Sequence, residues 1–298
     1  MEYQKTKKML WTDIEISVIS DDSNTEKIID SVFEFFGLFE KEFSRFLPDS
    51  SLNLLNYNKK LEVSERFIDL ISLSKRFYKK TGWYFNPLVN ISNFWYSNSF
   101  DSGDFIKTET KTNIDFDLLK IEWKTVILEK NQNLDFWWIG KWYAVDLASQ
   151  ILLDLWYDDF FVNAWWDIYA SGFYINGNGW IIGIENPFDL SLLATMNISN
   201  KAIATSGNYR RKWEIEWKKH HHIINPKTQN NDFQKVSVSI IADKTYEADA
   251  LNKAIFNMDT LEAIKFMEKN GLSWIIISSS KKVFYTKDMI SKYDLRFT

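Results

Sequence analysis

Asp249 and Lys253 lie four residues apart in a run with helical spacing, so a carboxylate and an ammonium share one helix face. The carboxylate is a hard-oxygen ligand of the kind Mg²⁺ accepts, one or two protein groups sharing its shell with substrate phosphates. A solvated surface ion pair has the same spacing. A second candidate is Asp-Phe-Trp-Trp-Ile-Gly-Lys-Trp-Tyr-Ala-Val-Asp at 135–146. There a strand-like run ends, Lys141 follows a glycine, and a helix begins. Backbone N–H groups and a helix N-terminus so arranged attract phosphate. The stretch matches neither the P-loop nor the dinucleotide fingerprint, and an ordinary tight strand–helix turn reads the same way. The only histidines, His220, His221 and His222, sit on a strand-like run before Asn225-Pro226. Alternation puts His220 and His222 on one face, and no further ligand at metal spacing accompanies them, which favours a hydrogen-bonding role. Residues 204–209 read as a small, hydroxyl-rich loop between strands, whose Thr205 and Ser206 suit a polar ligand.

The tryptophans are out of place. Twelve of the 14 stand where a turn or helix end is expected: 11, 83, 95, 123, 137, 138, 142, 156, 165, 166, 217 and 274. Trp165-Trp166 falls between the strand-like runs 159–164 and 167–174, where a two-residue connection wants Gly-Gly or Asn-Gly. Trp is bulky and strand-favouring, the opposite of what such turns require. The chain has only 10 glycines; counting the twelve as glycine brings that residue to about 7%, its ordinary share. Trp180 and Trp213 open strand-like runs, where an aromatic residue is unremarkable. The expectation is that most of the twelve are glycine in the natural protein, since some bacterial lineages read UGA as glycine. A Trp-rich sugar binder is the alternative.

The elements that must position these groups are legible in part. A strand is expected over 11–19, helices over 25–43 and 64–80, and an irregular aromatic segment over 81–104. A helix follows over 143–155, strands over 159–242, helices over 246–256 and 260–269, and a closing hairpin of 275–278 with 283–286. Helices and antiparallel-looking strands segregate rather than alternate, which favours α+β over a doubly wound sheet. At 298 residues the chain can bury a large core. A net charge of −4 with interspersed signs argues against nucleic-acid binding, and the lack of cysteine excludes disulfides and thiolate chemistry. The Lys-rich start has no apolar signal-peptide region and no run is long enough to span a bilayer, so a cytoplasmic location is expected, or an exported one if a leader has been trimmed.

In chain order these segments resemble the ApbE family, the FAD:protein FMN transferases, from about residue 9 to 286. Leu10-Trp11-Thr12 is similar to the family's opening Met-Gly-Thr, and residues 43–56 resemble its FSRF-x-PDSE-L-x-x-LN segment. Residues 81–87 resemble TGGxFDP, 135–146 DfGGIxKGyavD, and 163–167 NxGGD. Residues 204–209 with 222–228 resemble ATSGnY…HIIdPkTG, and 248–251 ADAL. The family's glycines fall on Trp11, Trp83, Trp137, Trp138, Trp142, Trp165 and Trp166.

The resemblance implies one α+β domain over 1–298, with mixed and antiparallel sheets flanked by helices and FAD in a central cleft. It implies a Mg²⁺-dependent transferase that cleaves FAD and attaches FMN through a phosphoester bond to a Thr or Ser of a partner flavoprotein, releasing AMP. Carried over, Asp249 would ligate Mg²⁺ with the main-chain carbonyl of Trp138 and the residue at Lys253, and Asp249 and His222 would be catalytic. Leu10, Phe46, Tyr84, Phe85, Asn86, Asp135 and Lys141 would line the FAD pocket, with His222 and Ile223 near the flavin nucleotide. Residues 163–167, including Asp167, would help form the cleft with Thr205 and Ser206. The chain departs from the pattern at Lys253 (usually Thr), Ser51 (Glu), Asn86 (Asp) and Gln229 (Gly). With water in place of the hydroxyl the same site would be an FAD diphosphatase; a flavin-binding protein without catalysis is the third reading.

Overall fold

Polar and apolar residues alternate along Thr12–Ile19 (β2), so Ile14, Ile16 and Val18 point inward together. Its partner β1 (Glu2–Met9) was not legible as a strand. It is Lys-rich and largely exposed because it forms an edge of the sheet, where charge discourages further pairing. The structure, a computed structural model, describes residues 1–89, 113–136, 139–215 and 217–298.

The order continues with α1 (Thr25–Phe43), α2 (Ser51–Asn58), β3 (Lys60–Glu62), α3 (Glu65–Lys80), β4 (Lys120–Glu122), β5 (Thr125–Ile127) and α4 (Gly140–Asp154). Then come β6 (Phe160–Ala164), β7 (Asp167–Ser171), β8 (Trp180–Glu185), β9 (Leu192–Ile198), β10 (Lys201–Gly207), β11 (Lys212–Ile215), β12 (Lys218–His221) and β13 (Lys235–Ala242). The chain closes with α5 (Thr245–Asn257), α6 (Thr260–Lys269), β14 (Ser273–Ser278), β15 (Val283–Tyr285), α7 (Lys287–Ser291) and β16 (Arg296–Phe297).

Eight strands form one sheet in the order β1-β2-β6-β7-β10-β13-β14-β15, every neighbouring pair antiparallel. Its two faces are sorted by strand alternation. Ala202, Ala204, Val238, Ile240 and Ile276 join the core shared with the helices. Ile203, Ile241, Ile275 and Ile277 face a second cluster with Ala194, Met196 and Ile198 of the small sheet β16-β9-β8. The α+β expectation holds.

Two local expectations are corrected. Residues 204–207 are the end of strand β10 inside the large sheet, not a loop; the turn follows at 208–211. Small side chains are needed there because α5 packs directly over β10 and β13. Helix α4 begins at Gly140 rather than 143, which places Lys141 and Trp142 in its first turn.

Helix α5 is buried on nearly every side, so its ends must be satisfied by protein. Asp146, on α4, does this: its two oxygens accept the backbone N–H groups of Thr245 and Tyr246, each at 2.9 Å. Burial pushes the Asp146 carboxyl up to about 7 against the pull of those two bonds. Asp146→Ala strands both donors in the interior, a cost of about 2–5 kcal/mol in chemical denaturation. A loss below about 1 kcal/mol would show that the cap is dispensable.

Candidate active site

A cavity of about 530 Å³ opens where β7, β10, α4 and α5 converge. That volume lies in the range of small-molecule sites. Asp249 reaches it from the second turn of α5 and is 1% exposed, so the solvated-pair reading of Asp249 and Lys253 fails. Lys253 is also buried and bonds Asp249 Oδ1. The other oxygen, Oδ2, is buried and makes no hydrogen bond of standard geometry among the described residues. Burial raises the Asp249 carboxyl to about 6, opposed by the adjacent Lys253 ammonium and, more weakly, by the Trp142 indole N–H.

Asp167, the first residue of β7, lines the same cavity and accepts the Thr205 N–H at 2.6 Å. Burial, and then the charge of Asp249, hold its carboxyl well above the usual range. Lys141, at the start of α4, is 7% exposed; burial and the nearby Arg211 and Lys253 charges push its ammonium down to about 7. Ser206 donates to Asn252 Oδ1 at 2.6 Å, and Thr205 pairs with Ser239 at 2.8 Å. Among the described residues four carboxylates (Glu15, Asp167, Glu185 and Asp249) and four basic side chains (Lys141, Arg210, Arg211 and Lys253) thus line one hollow, a mixture that suits a polyanion held with a cation.

His222, just past β12, also lines the cavity, and burial keeps its imidazole neutral by lowering its pKa well below the usual value. His221 is structural: Nε2 meets the Asp232 carbonyl at 2.8 Å, and Nδ1 accepts the Ile223 N–H at 3.2 Å. Burial lowers its pKa from 6.5 to about 4. Such a group binds its proton more tightly when unfolded, so its contribution is intact above 6.5 and falls away as pH drops towards 4. The loss approaches about 3 kcal/mol at the acid end. Urea unfolding between pH 7 and 4 will show a smaller acid loss in His221→Gln by about that amount; parallel profiles would contradict it.

The remaining expected site residues divide. Leu10 and Phe46 border a small hollow that shares Lys141 with the main cavity. Asp135 is buried and pairs with Arg45 at 2.9 Å. Tyr84 donates to Glu262 at 2.7 Å with Lys227 over its ring. Phe85 packs on Phe77 in the core, Ile223 is buried there too, and Asn86 bonds the Ile114 carbonyl and the Leu88 N–H. Among the described residues, Tyr84, Phe85, Asn86, Asp135 and Ile223 do not line the main cavity. Trp138, expected to offer a carbonyl to the metal, lies outside the described residues, as does Trp137. Sequence reasoning missed the cavity's Arg211, and it gave Asp146 no role.

The sequence profile of the ApbE family matches residues 10–276, nearly the whole chain. The chain belongs to the ApbE family. The FAD:protein FMN transferase of Escherichia coli (strain K12) is 26% identical over 271 residues, covering 82% of this chain and 74% of that protein. That of Haemophilus influenzae is 25% identical over 302 residues, covering 94% and 87%. The crystal structure of the ApbE protein from Thermotoga maritima superposes with a TM-score of 0.87 at 24% identity, over 96% of this chain and 97% of that one. The flavin transferase ApbE from Vibrio cholerae gives 0.83 at 19%, over 98% and 99%. The ApbE fold is therefore that of this chain.

Asp249 Oδ2 tests whether a divalent cation fits. A buried carboxylate oxygen with no hydrogen bond of standard geometry is suited to a hard cation, and Mg²⁺ needs only one or two such groups beside phosphate oxygens. Among the described residues no group of three or more His, Asp or Glu could hold a metal by itself. Lys253 donates to Asp249, and an ammonium offers no lone pair, so it stands beside such an ion rather than ligating it.

Proposed function

We propose that this chain transfers FMN from FAD to a Thr or Ser hydroxyl of a partner flavoprotein, releasing AMP. The observation that carries the reading is Asp249 Oδ2, a buried carboxylate oxygen with no hydrogen bond of standard geometry in a charged cavity of an ApbE fold. Asp249 would hold Mg²⁺, and the ion when bound would neutralise charge on the diphosphate oxygens. Lys253, together with the protonated fraction of Lys141, adds positive charge from two helices, where low dielectric strengthens it. The acceptor hydroxyl oxygen bonds to the FMN phosphorus as the bond to AMP breaks, and the hydroxyl proton is released. Neutral His222 serves as a hydrogen-bonding wall beside the diphosphate rather than as a charge.

The test incubates the protein with FAD, MgCl₂ and an apo-flavoprotein presenting a candidate Thr. Flavin that stays on the acceptor after denaturation, with AMP released in equal amount, supports transfer. Free FMN with AMP and an unlabelled acceptor means hydrolysis, and FAD bound but intact means a carrier; either outcome overturns the proposal.

A further inference from the structure

We propose that Trp11, Trp83, Trp123, Trp156, Trp165, Trp166 and Trp217 are glycines in the protein its own cell makes, their codon UGA being read there as glycine. The backbone carries this inference, which does not depend on the proposed activity. Nine of the twelve tryptophans expected to replace glycine are described, and these seven have φ between 54° and 75°. In that region a side chain's Cβ crowds the following carbonyl, and glycine, lacking a Cβ, enters it freely. Trp180 and Trp213, which the sequence places on strands, have no such φ and are buried. Trp180 even satisfies its indole N–H, donating to the Ser171 carbonyl at 2.8 Å. At seven of the nine described positions the sequence expectation and the backbone agree; Trp142 and Trp274 keep ordinary φ, and a few other side chains, Leu10 and Lys59 among them, share the positive φ.

Repeated motifs inside the chain sharpen the case. After α6, Gly271 at φ 60° donates to the Glu268 carbonyl at 3.1 Å, and Leu272 reaches back to Met267 at 3.0 Å. After α4, Trp156 at φ 66° donates to Leu153 at 2.9 Å, and Tyr157 reaches back to Leu152 at 3.0 Å. The two helix ends are the same left-handed cap, with glycine in one and tryptophan in the other. Trp165-Trp166 joins β6 to β7 with Ala164 opposite Asp167 and φ values of 54° and 72°. Two positive values in a two-residue connection define the hairpin turn that Asn-Gly and Gly-Gly favour.

Exposure points the same way. Trp123, Trp156 and Trp217 are 84%, 88% and 93% exposed, and Trp11, Trp83 and Trp166 are also exposed. They sit at hairpin connections and just past helix ends, positions set by backbone need rather than by a shared sugar-binding platform. Trp142 in α4 and Trp274 in β14 have ordinary backbones and fall outside the proposal. At the site, the change strips two indoles from the cavity lining, including the one against which Arg211 lies at 3.4 Å. Arg210 keeps the Tyr209 ring at 6.0 Å and its pairing with Glu185.

The experiment is peptide mass spectrometry of the protein from its source cells, read beside the gene. Glycine masses at the seven positions, tryptophan masses at 180 and 213, and TGA at the seven codons against TGG at the two support the proposal. Tryptophan masses at 165 and 166, or TGG throughout, overturn it.

Discussion

Asp249→Asn is expected to lower FMN transfer by about 10³-fold or more, because a bound cation supplies several kcal/mol of charge stabilisation and each 1.4 kcal/mol is tenfold. The asparagine fills the same space on α5 and still accepts from Lys253 through its amide oxygen, so the pair is weakened rather than emptied. Removing the carboxylate outright would leave a buried ammonium alone, at a cost of roughly 3–5 kcal/mol that would confuse catalysis with folding. Mg²⁺ titration by calorimetry on the same variant supplies a second readout: affinity falls with the negative charge, while the unfolding midpoint stays near that of the parent. Transfer within tenfold of the parent would remove Asp249 from the chemistry.

Much of the positioning scaffold could be read from residues, and the exceptions share a cause. Helix α1 spans 25–43 as expected, and Ser64 caps α3 by accepting the Phe67 N–H at 3.0 Å, both local signals. The β6–β7 hairpin was legible because two odd residues sat between two clean strand patterns. What was missed depends on distant chain. Asp146 caps a helix that begins about a hundred positions later, and no spacing rule reaches that far. The surface reading of Asp249–Lys253 failed because α5 is enclosed by α4, β10 and β13, whereas spacing reports only that two residues share a face. The small residues of β10 looked like a loop because they lack the β-branched bulk of a strand, yet a helix lying on the sheet requires them to be small. Phe85 and Asn86 lie in a motif-like segment, but their side chains hold that segment together rather than lining the main cavity.

A chain with glycine at 11, 83, 123, 156, 165, 166 and 217 is expected to be more stable than the all-tryptophan chain by roughly 3–7 kcal/mol. Each left-handed tryptophan costs about 1–2 kcal/mol, of which the extra freedom of an unfolded glycine offsets about 0.5–1 kcal/mol. Neighbouring sites such as 165 and 166 will not add strictly, so the seven-site sum is the quantity to measure. Against a net stability of about 5–15 kcal/mol for an ordinary domain, the difference separates a robust fold from a marginal one. Trp180→Gly supplies the opposite sign: its indole is 4% exposed and hydrogen-bonded, so its loss opens a cavity costing about 3–5 kcal/mol. Urea unfolding of the three chains, made from synthetic genes in one host, reads both effects together. Equal or greater stability for the all-tryptophan chain would mean that the left-handed backbone at these turns is compatible with an indole. Alanine at the same seven positions separates backbone strain from a generic gain on removing tryptophan, because it removes the exposed indoles yet keeps the Cβ that the left-handed backbone crowds, so strain predicts that glycine gains more than alanine.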